Sequence, residues 1–248
     1  MNPFFFGSSR RQLFGAYDPP REGGRRGAVL CYPLAREYLL AHPTFRHLAR
    51  LLSSSGWHVL RFDYYGTGDS AGDFEDAGRD LWLADIETAI DELKDISQLA
   101  RVSLIGMRYG AVLAAMAARR RRDVESLVLW DPVPDGRAYL SELGVTSRTE
   151  GASSGAEADG AVFSDRLLRE IQDTTATSVP PQGLPRTLVL GTCGPIDAFQ
   201  ALHTHLATGG ADCSLEHVPD VPVWREEWGR GGVGMAVAAA TRIVTWMS

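Results

Sequence analysis

Residues Leu104-Ile105-Gly106-Met107-Arg108-Tyr109-Gly110-Ala111 set two glycines around three residues, where an apolar run gives way to an alanine-rich one. A strand that stops and a helix that starts, with glycine on both sides, is the frame of a nucleophile elbow, G-x-S-x-G. The missing side chains let strand and helix pack closely around a strained turn. Arg108 stands at the centre of this frame. A guanidinium has no oxygen or sulfur to attack with, and it stays charged at any ordinary pH. Its chemistry is that of holding an anion. Cys31, Cys193 and Cys213 have no CxxC spacing and predict neither a disulfide framework nor a zinc site. His203 and His205 lie two apart on a helix and face different sides, so no metal site is expected. No cofactor is expected either. Lys94 is the only lysine, the other 24 of the 25 basic residues being arginine, which leaves Schiff-base chemistry one candidate on an exposed helix.

The elements that must position these groups alternate. Phe4–Phe6 and Gln12–Tyr17 predict an opening antiparallel hairpin, stopped by Asp18-Pro19-Pro20. Short β-rich runs follow at Gly27–Cys31, His58–Asp63, Arg101–Ile105, Glu125–Trp130, Thr187–Leu190 and Cys213–Val218. Helical spacing fills the intervals at Pro43–Ser55, Asp80–Leu93, Arg108–Arg120 and Ile196–Leu206, and a final helix is expected over Val233–Met247. Repeated strand–helix alternation predicts a mostly parallel sheet with helices on both faces. Residues 137–181 depart from it. No strand signal is evident there, Ser147–Gly160 has the composition of a mobile loop, and Phe163–Ile171 offers one short helix. This segment is expected to be a lid within a single domain spanning 1–248.

With 248 residues, 44% hydrophobic and 23% charged, the chain is long enough to bury one large core without staples. A net charge of −6 argues against nucleic acid as the partner, since phosphate binding needs a cationic surface. The run Arg119–Arg122 closes a helix, where cations are favoured anyway. No leader or membrane span is evident, so a cytoplasmic protein without a membrane partner is expected. Gly229–Gly234 follows no strand and is not a dinucleotide fingerprint.

Several motifs together resemble the α/β-hydrolase superfamily, in its serine-aminopeptidase-like branch, and are most similar to hydrolases of the exosortase A system-associated type. They are Phe4-Phe5-Phe6-Gly7 with Gln12-Leu13-Phe14-Gly15, Cys31-Tyr32-Pro33-Leu34, the turn Asp63-Tyr64-Tyr65-Gly66-Thr67-Gly68-Asp69-Ser70, the elbow, and Leu129-Trp130-Asp131-Pro132. The resemblance implies an α/β-hydrolase fold with a short lid. It puts the nucleophile position at Arg108 and the acid at Asp197, or one strand earlier at Asp131. The histidine position falls in the loop Pro219–Trp224, which holds no histidine; His217 precedes it. An acyl-enzyme mechanism needs nucleophile, base and orienting acid together.

What the resemblance leaves is an oxyanion hole, implied at the backbone N–H of Tyr109 and of Leu34 or Ala35, beside the positive end of the helix that starts at Arg108. Cys31, Tyr32, Glu37, His42, Met107 and Trp224 are expected to line a pocket for a small acyl or carboxylate ligand. Three functions follow. One is a non-serine enzyme acting on such a ligand through the oxyanion hole and Arg108, with ester or thioester chemistry in a biosynthetic setting. The second is an inactive pseudo-hydrolase that binds a ligand or protein, with Arg108 paired to Asp131 or Asp197. The third is a hydrolase whose nucleophile has moved to Cys31 or Ser70.

Overall fold

The computed structural model describes residues 1–148, 155–158, 160–179, 181–193, 196–225 and 234–248. The chain opens on the hairpin β1 (Asn2–Ser8) and β2 (Arg11–Asp18), and continues through β3 (Arg26–Cys31), α1 (Ala35–Ser54), β4 (Trp57–Phe62), α2 (Arg79–Ser97), β5 (Val102–Met107), α3 (Tyr109–Arg120) and β6 (Val124–Trp130). An excursion holds α4 (Gly136–Glu142), the strands β7 (Thr146–Arg148), β8 (Gly155–Ala158) and β9 (Ala161–Ser164), and α5 (Asp165–Gln172). The chain then returns through β10 (Arg186–Gly191), α6 (Ile196–Thr208), β11 (Cys213–His217) and α7 (Val237–Met247).

Eight strands form one sheet in the order β1-β2-β4-β3-β5-β6-β10-β11. Only the β1–β2 and β2–β4 pairings are antiparallel; the pairings from β4 to β11 are parallel. The central strands β3, β5, β6 and β10 are buried almost throughout, which is why each reads as a continuous apolar run without alternation. The sheet order also sorts the helices. α1 carries the chain from β3 back to β4, whereas α2, α3 and α6 carry it the other way. With right-handed crossovers, α1 covers one face and the others cover the opposite one. The contacts follow this division, with α7 against α1 and α2 against α3.

Three differences from the sequence reading have physical causes. α1 begins at Ala35, two turns ahead of Pro43, which lies inside the helix. A proline lacks the N–H and crowds the carbonyl four residues back, so it reads as a boundary. Here burial of Glu37 and Ala41 holds the earlier turns. Second, the excursion is structured. β7–β8–β9 form an antiparallel sheet, and the buried Phe163 ring meets Phe74 at 5.1 Å. β7 and β8 are short and not apolar, so only their pairing reveals them. Third, α7 starts at Val237; most of the glycine run ahead of it, and Trp228, lie outside the described residues. Among the described residues no helix is long and apolar enough to cross a membrane.

Ala35, Arg108 and Asp131 have φ of 50°, 55° and 41°, and each follows the carboxyl end of a neighbouring strand, β3, β5 and β6. Side chains other than glycine rarely adopt this region, and such residues persist only where their surroundings over-determine them. The strain is gathered at one edge of the sheet. Gly110 is required there, because a Cβ on it would come within 2.2 Å of the Tyr32 carbonyl oxygen and 2.5 Å of that of Cys31. Both obstacles are backbone. Gly110→Ala is therefore expected to destabilise the fold by about 3 kcal/mol or more, read by chemical denaturation.

Candidate functional site

The site is built outward from the elbow. Arg108 has φ 55° and ψ −124°, and its N–H donates to the Trp130 carbonyl at 3.0 Å, tying the turn to the end of β6. The two flanking glycines make this turn fit. A Cβ on Gly106 would meet the Gly110 carbonyl oxygen at 2.4 Å. The Arg108 side chain is 9% exposed. Its Nε donates to Glu37 Oε1 at 3.0 Å, and one terminal nitrogen pairs with Glu142 Oε2. The guanidinium carbon also lies 5.3 Å from the Tyr139 ring centre and 5.0 Å from that of Trp224. Two rings and two carboxylates enclose the charge.

Glu37 sits on the first turn of α1 and is buried. Its second oxygen accepts from the Tyr139 hydroxyl at 2.8 Å, so both ends of the carboxylate are held. Tyr139 in turn stacks on Tyr109 with ring centres 5.9 Å apart and planes 5° from parallel. Glu142, at the end of α4, is more exposed and also meets Arg225 at 3.3 Å. Burial raises the Glu37 pKa, against the pull of Arg108 and Tyr139. Burial also works against the Arg108 charge, but Glu37, Tyr139 and Glu142 outweigh it and hold the guanidinium above its ordinary value. An open cavity of about 280 Å³ adjoins this cluster. Its charged lining is Arg108, Arg225, Glu142 and Asp135; Val133, Ala198, Phe199 and Trp224 are among its apolar walls.

The expected partners of Arg108 are not the ones it has. Among the described residues Arg108 forms its ion pairs with Glu37 and Glu142, and neither Asp131 nor Asp197 is one of them. Asp131 is fully buried at the end of β6. Its carboxylate accepts from the Thr192 N–H at 2.8 Å and from the Thr192 hydroxyl. Burial pushes its pKa up to about 6, against those hydrogen bonds. Asp197 is exposed on the first turn of α6, where the helix's positive end favours an acid.

The expected pocket also changes. Glu37 and Trp224 reach Arg108. Cys31, Tyr32 and Met107 are buried in the core instead, because β3 and β5 are covered on both faces. The Cys31 thiol is pushed up to about 12 by burial. Tyr32 is packed against Phe45 at 4.3 Å and His42 at 5.9 Å. His42 faces a separate hollow with Arg46, His47, Arg50 and Met235. Ser70 Oγ donates to the Asp63 carbonyl at 2.6 Å and accepts from the Phe14 N–H at 2.9 Å, so it fastens a turn. His217 is exposed at the end of β11. Leu34 and Ala35, at the start of α1, and Tyr109, at the start of α3, share the edge that holds Arg108. The close approach of the Cys31 and Tyr32 carbonyls to Gly110 brings those two helix starts together.

Tyr139, Glu142 and Arg225 were missed because the first two lie in the segment read as a lid. A signal was present. Asp135 caps α4 by accepting from the Ala138 N–H at 2.7 Å, and an Asp-Gly pair ahead of Ala and Tyr is a helix start.

Comparison with known proteins decides the fold. A family model described as serine aminopeptidase, S33, matches residues 42–153. A structure of Est1E from Butyrivibrio proteoclasticus with ferulic acid bound is similar at TM-score 0.69 and 19% identity, covering 98% of this chain and 97% of that one. The chain has the α/β-hydrolase fold. Two further α/β structures agree. Esterase 2 of Thermogutta terrifontis aligns at TM-score 0.62 and 14% identity over 99% of this chain and 91% of that one. Proline iminopeptidase of Mycobacterium smegmatis aligns at 0.63 and 12% over 88% and 90%. No curated protein matches in sequence. Arg108 forms the turn between β5 and α3, and Trp224, beyond β11, lies against it.

Two outcomes follow. Tyr139→Phe removes a donor from a buried carboxylate and is expected to lower stability by about 1.5–3 kcal/mol in chemical denaturation. Asp131, with its folded pKa raised by burial, contributes stability that is whole below the ordinary aspartate range and is lost as pH rises through about 6. Its carboxyl carbon should titrate near 6 by NMR, and the corresponding loss of stability should be absent from Asp131→Asn.

Proposed function

We propose that this chain is a pseudo-hydrolase, an α/β-hydrolase fold that holds a small ligand bearing a carboxylate and an apolar tail instead of cleaving an ester. The observation that carries this reading is the fixed cation Arg108 at the elbow with an open, largely apolar cavity beside it. An acyl-enzyme route needs a nucleophile there and a base beside it. Arg108 and Trp224 supply neither. The sulfur lining the cavity, Cys193, has its thiol raised by burial and by Asp131, which disfavours the reactive thiolate. A guanidinium walled by aromatic rings and apolar residues suits a carboxylate with a hydrophobic body. Ferulic acid, bound to Est1E, is such a molecule.

The motif likeness to exosortase A system-associated hydrolases supports a role in exopolysaccharide or specialised-metabolite biosynthesis. The unpaired cysteines suit a reducing cytoplasm. The catalytic alternative is a non-serine reaction on an anionic substrate, drawing on the N-terminus of α3 beside Arg108.

A fluorophosphonate probe together with calorimetry separates these readings. The expected result is no labelling, no turnover of small esters or thioesters, and binding of phenylacetate but not of phenylacetamide. Stoichiometric labelling or turnover contradicts the proposal.

A further inference from the structure

Arg108 carries two carboxylates of unlike character. Glu37 is 5% exposed in its side chain and is held at its other oxygen by Tyr139. Glu142 is 40% exposed, ends its helix, and bridges Arg108 to Arg225, whose side chain is 58% exposed. One carboxylate is enclosed; the other meets solvent. The three bridged side chains also line the 280 Å³ cavity, together with Asp135 and the apolar Val133, Ala198 and Phe199.

We propose that Glu142 is an internal stand-in for the ligand's carboxylate, closing the site until a ligand displaces it. This rests on the reading of the cavity as a carboxylate site and adds how that site is regulated. Arg108 and Arg225 balance Glu37 and Glu142 in charge. A ligand carboxylate can therefore take the place of Glu142 between the two guanidinium groups without leaving either unpaired. The exchange needs only a side-chain rotation, since Glu142 is the last residue of α4 and already meets solvent. The displaced carboxylate regains water, while Glu37 keeps Arg108 in position. The ligand's tail fills the apolar walls that Glu142 leaves empty. Affinity for a carboxylate is therefore set by competition with a tethered one, whose effective concentration is high.

The test is calorimetry and Trp fluorescence with phenylacetate and phenylacetamide on the full chain, comparing wild type with Glu142→Gln and Glu142→Ser. Both variants change a half-exposed side chain, and a cooperative thermal melt checks that each is folded. Both should bind phenylacetate about tenfold or more tightly than wild type, a step of about 1.4 kcal/mol. Phenylacetamide should gain nothing. Equal phenylacetate affinity in wild type and variants overturns the stand-in while leaving the carboxylate site intact. Failure of phenylacetate to bind all three proteins overturns the carboxylate site and the stand-in with it.

Discussion

The buried pair between Arg108 and Glu37 is the interaction on which the rest of this site depends. Taking a guanidinium out of water costs several kcal/mol unless a partner and further hydrogen bonds offset it. The turn fixes the Arg108 backbone at φ 55° between two glycines with its N–H committed to Trp130, and the surrounding side chains leave the guanidinium only 9% exposed. The protein must bring a counter-charge to it. α1 does so two turns earlier than its proline would suggest, with Glu37 on the first turn. Tyr139 then orients that carboxylate, and its ring and that of Trp224 both pack against the guanidinium. The positions of α1, α4 and the segment after β11 are all constrained by one charge.

The same pair separates framework from function. The α/β-hydrolase fold gathers left-handed residues after the carboxyl ends of β3, β5 and β6, with Arg108 on the turn that leads into α3. In the proposed reading the strain is retained because it aims Arg108 at the cavity, and the binding energy a hydrolase spends on a transition state serves a stable ligand. The half-exposed Glu142 and Arg225 form the outer layer of the charge cluster, while Glu37 and Tyr139 are buried beneath it.

The sequence was most informative where local rules and the fold agree. The apolar runs of β3, β5, β6 and β10 announce a sheet buried on both faces, and the glycines at 106 and 110 announce the strand-to-helix turn, since no other residue fits them. Arg108 at the centre followed directly. The partners did not, because an ion pair between residues 37 and 108 depends on how two helix starts meet across a sheet edge, which spacing alone does not encode. Asp131 follows the strand beside that turn, yet Thr192 takes its carboxylate. Cys31, Tyr32 and Met107 lie in the right stretches of chain but face the core, because a strand buried on both faces has no pocket side. Tyr139 and Glu142 were hidden by a segment whose short strands lack any alternation.

The most direct measurement is a double-mutant cycle on Arg108 and Glu37, with Arg108→Met, Glu37→Gln and the double variant compared by chemical denaturation. Each single change strands a buried group, so a coupling energy of about 3 kcal/mol is expected, with the double variant more stable than the sum of the single losses implies. Additivity within about 0.5 kcal/mol would contradict the account, because it would mean that Arg108 is held by something other than Glu37.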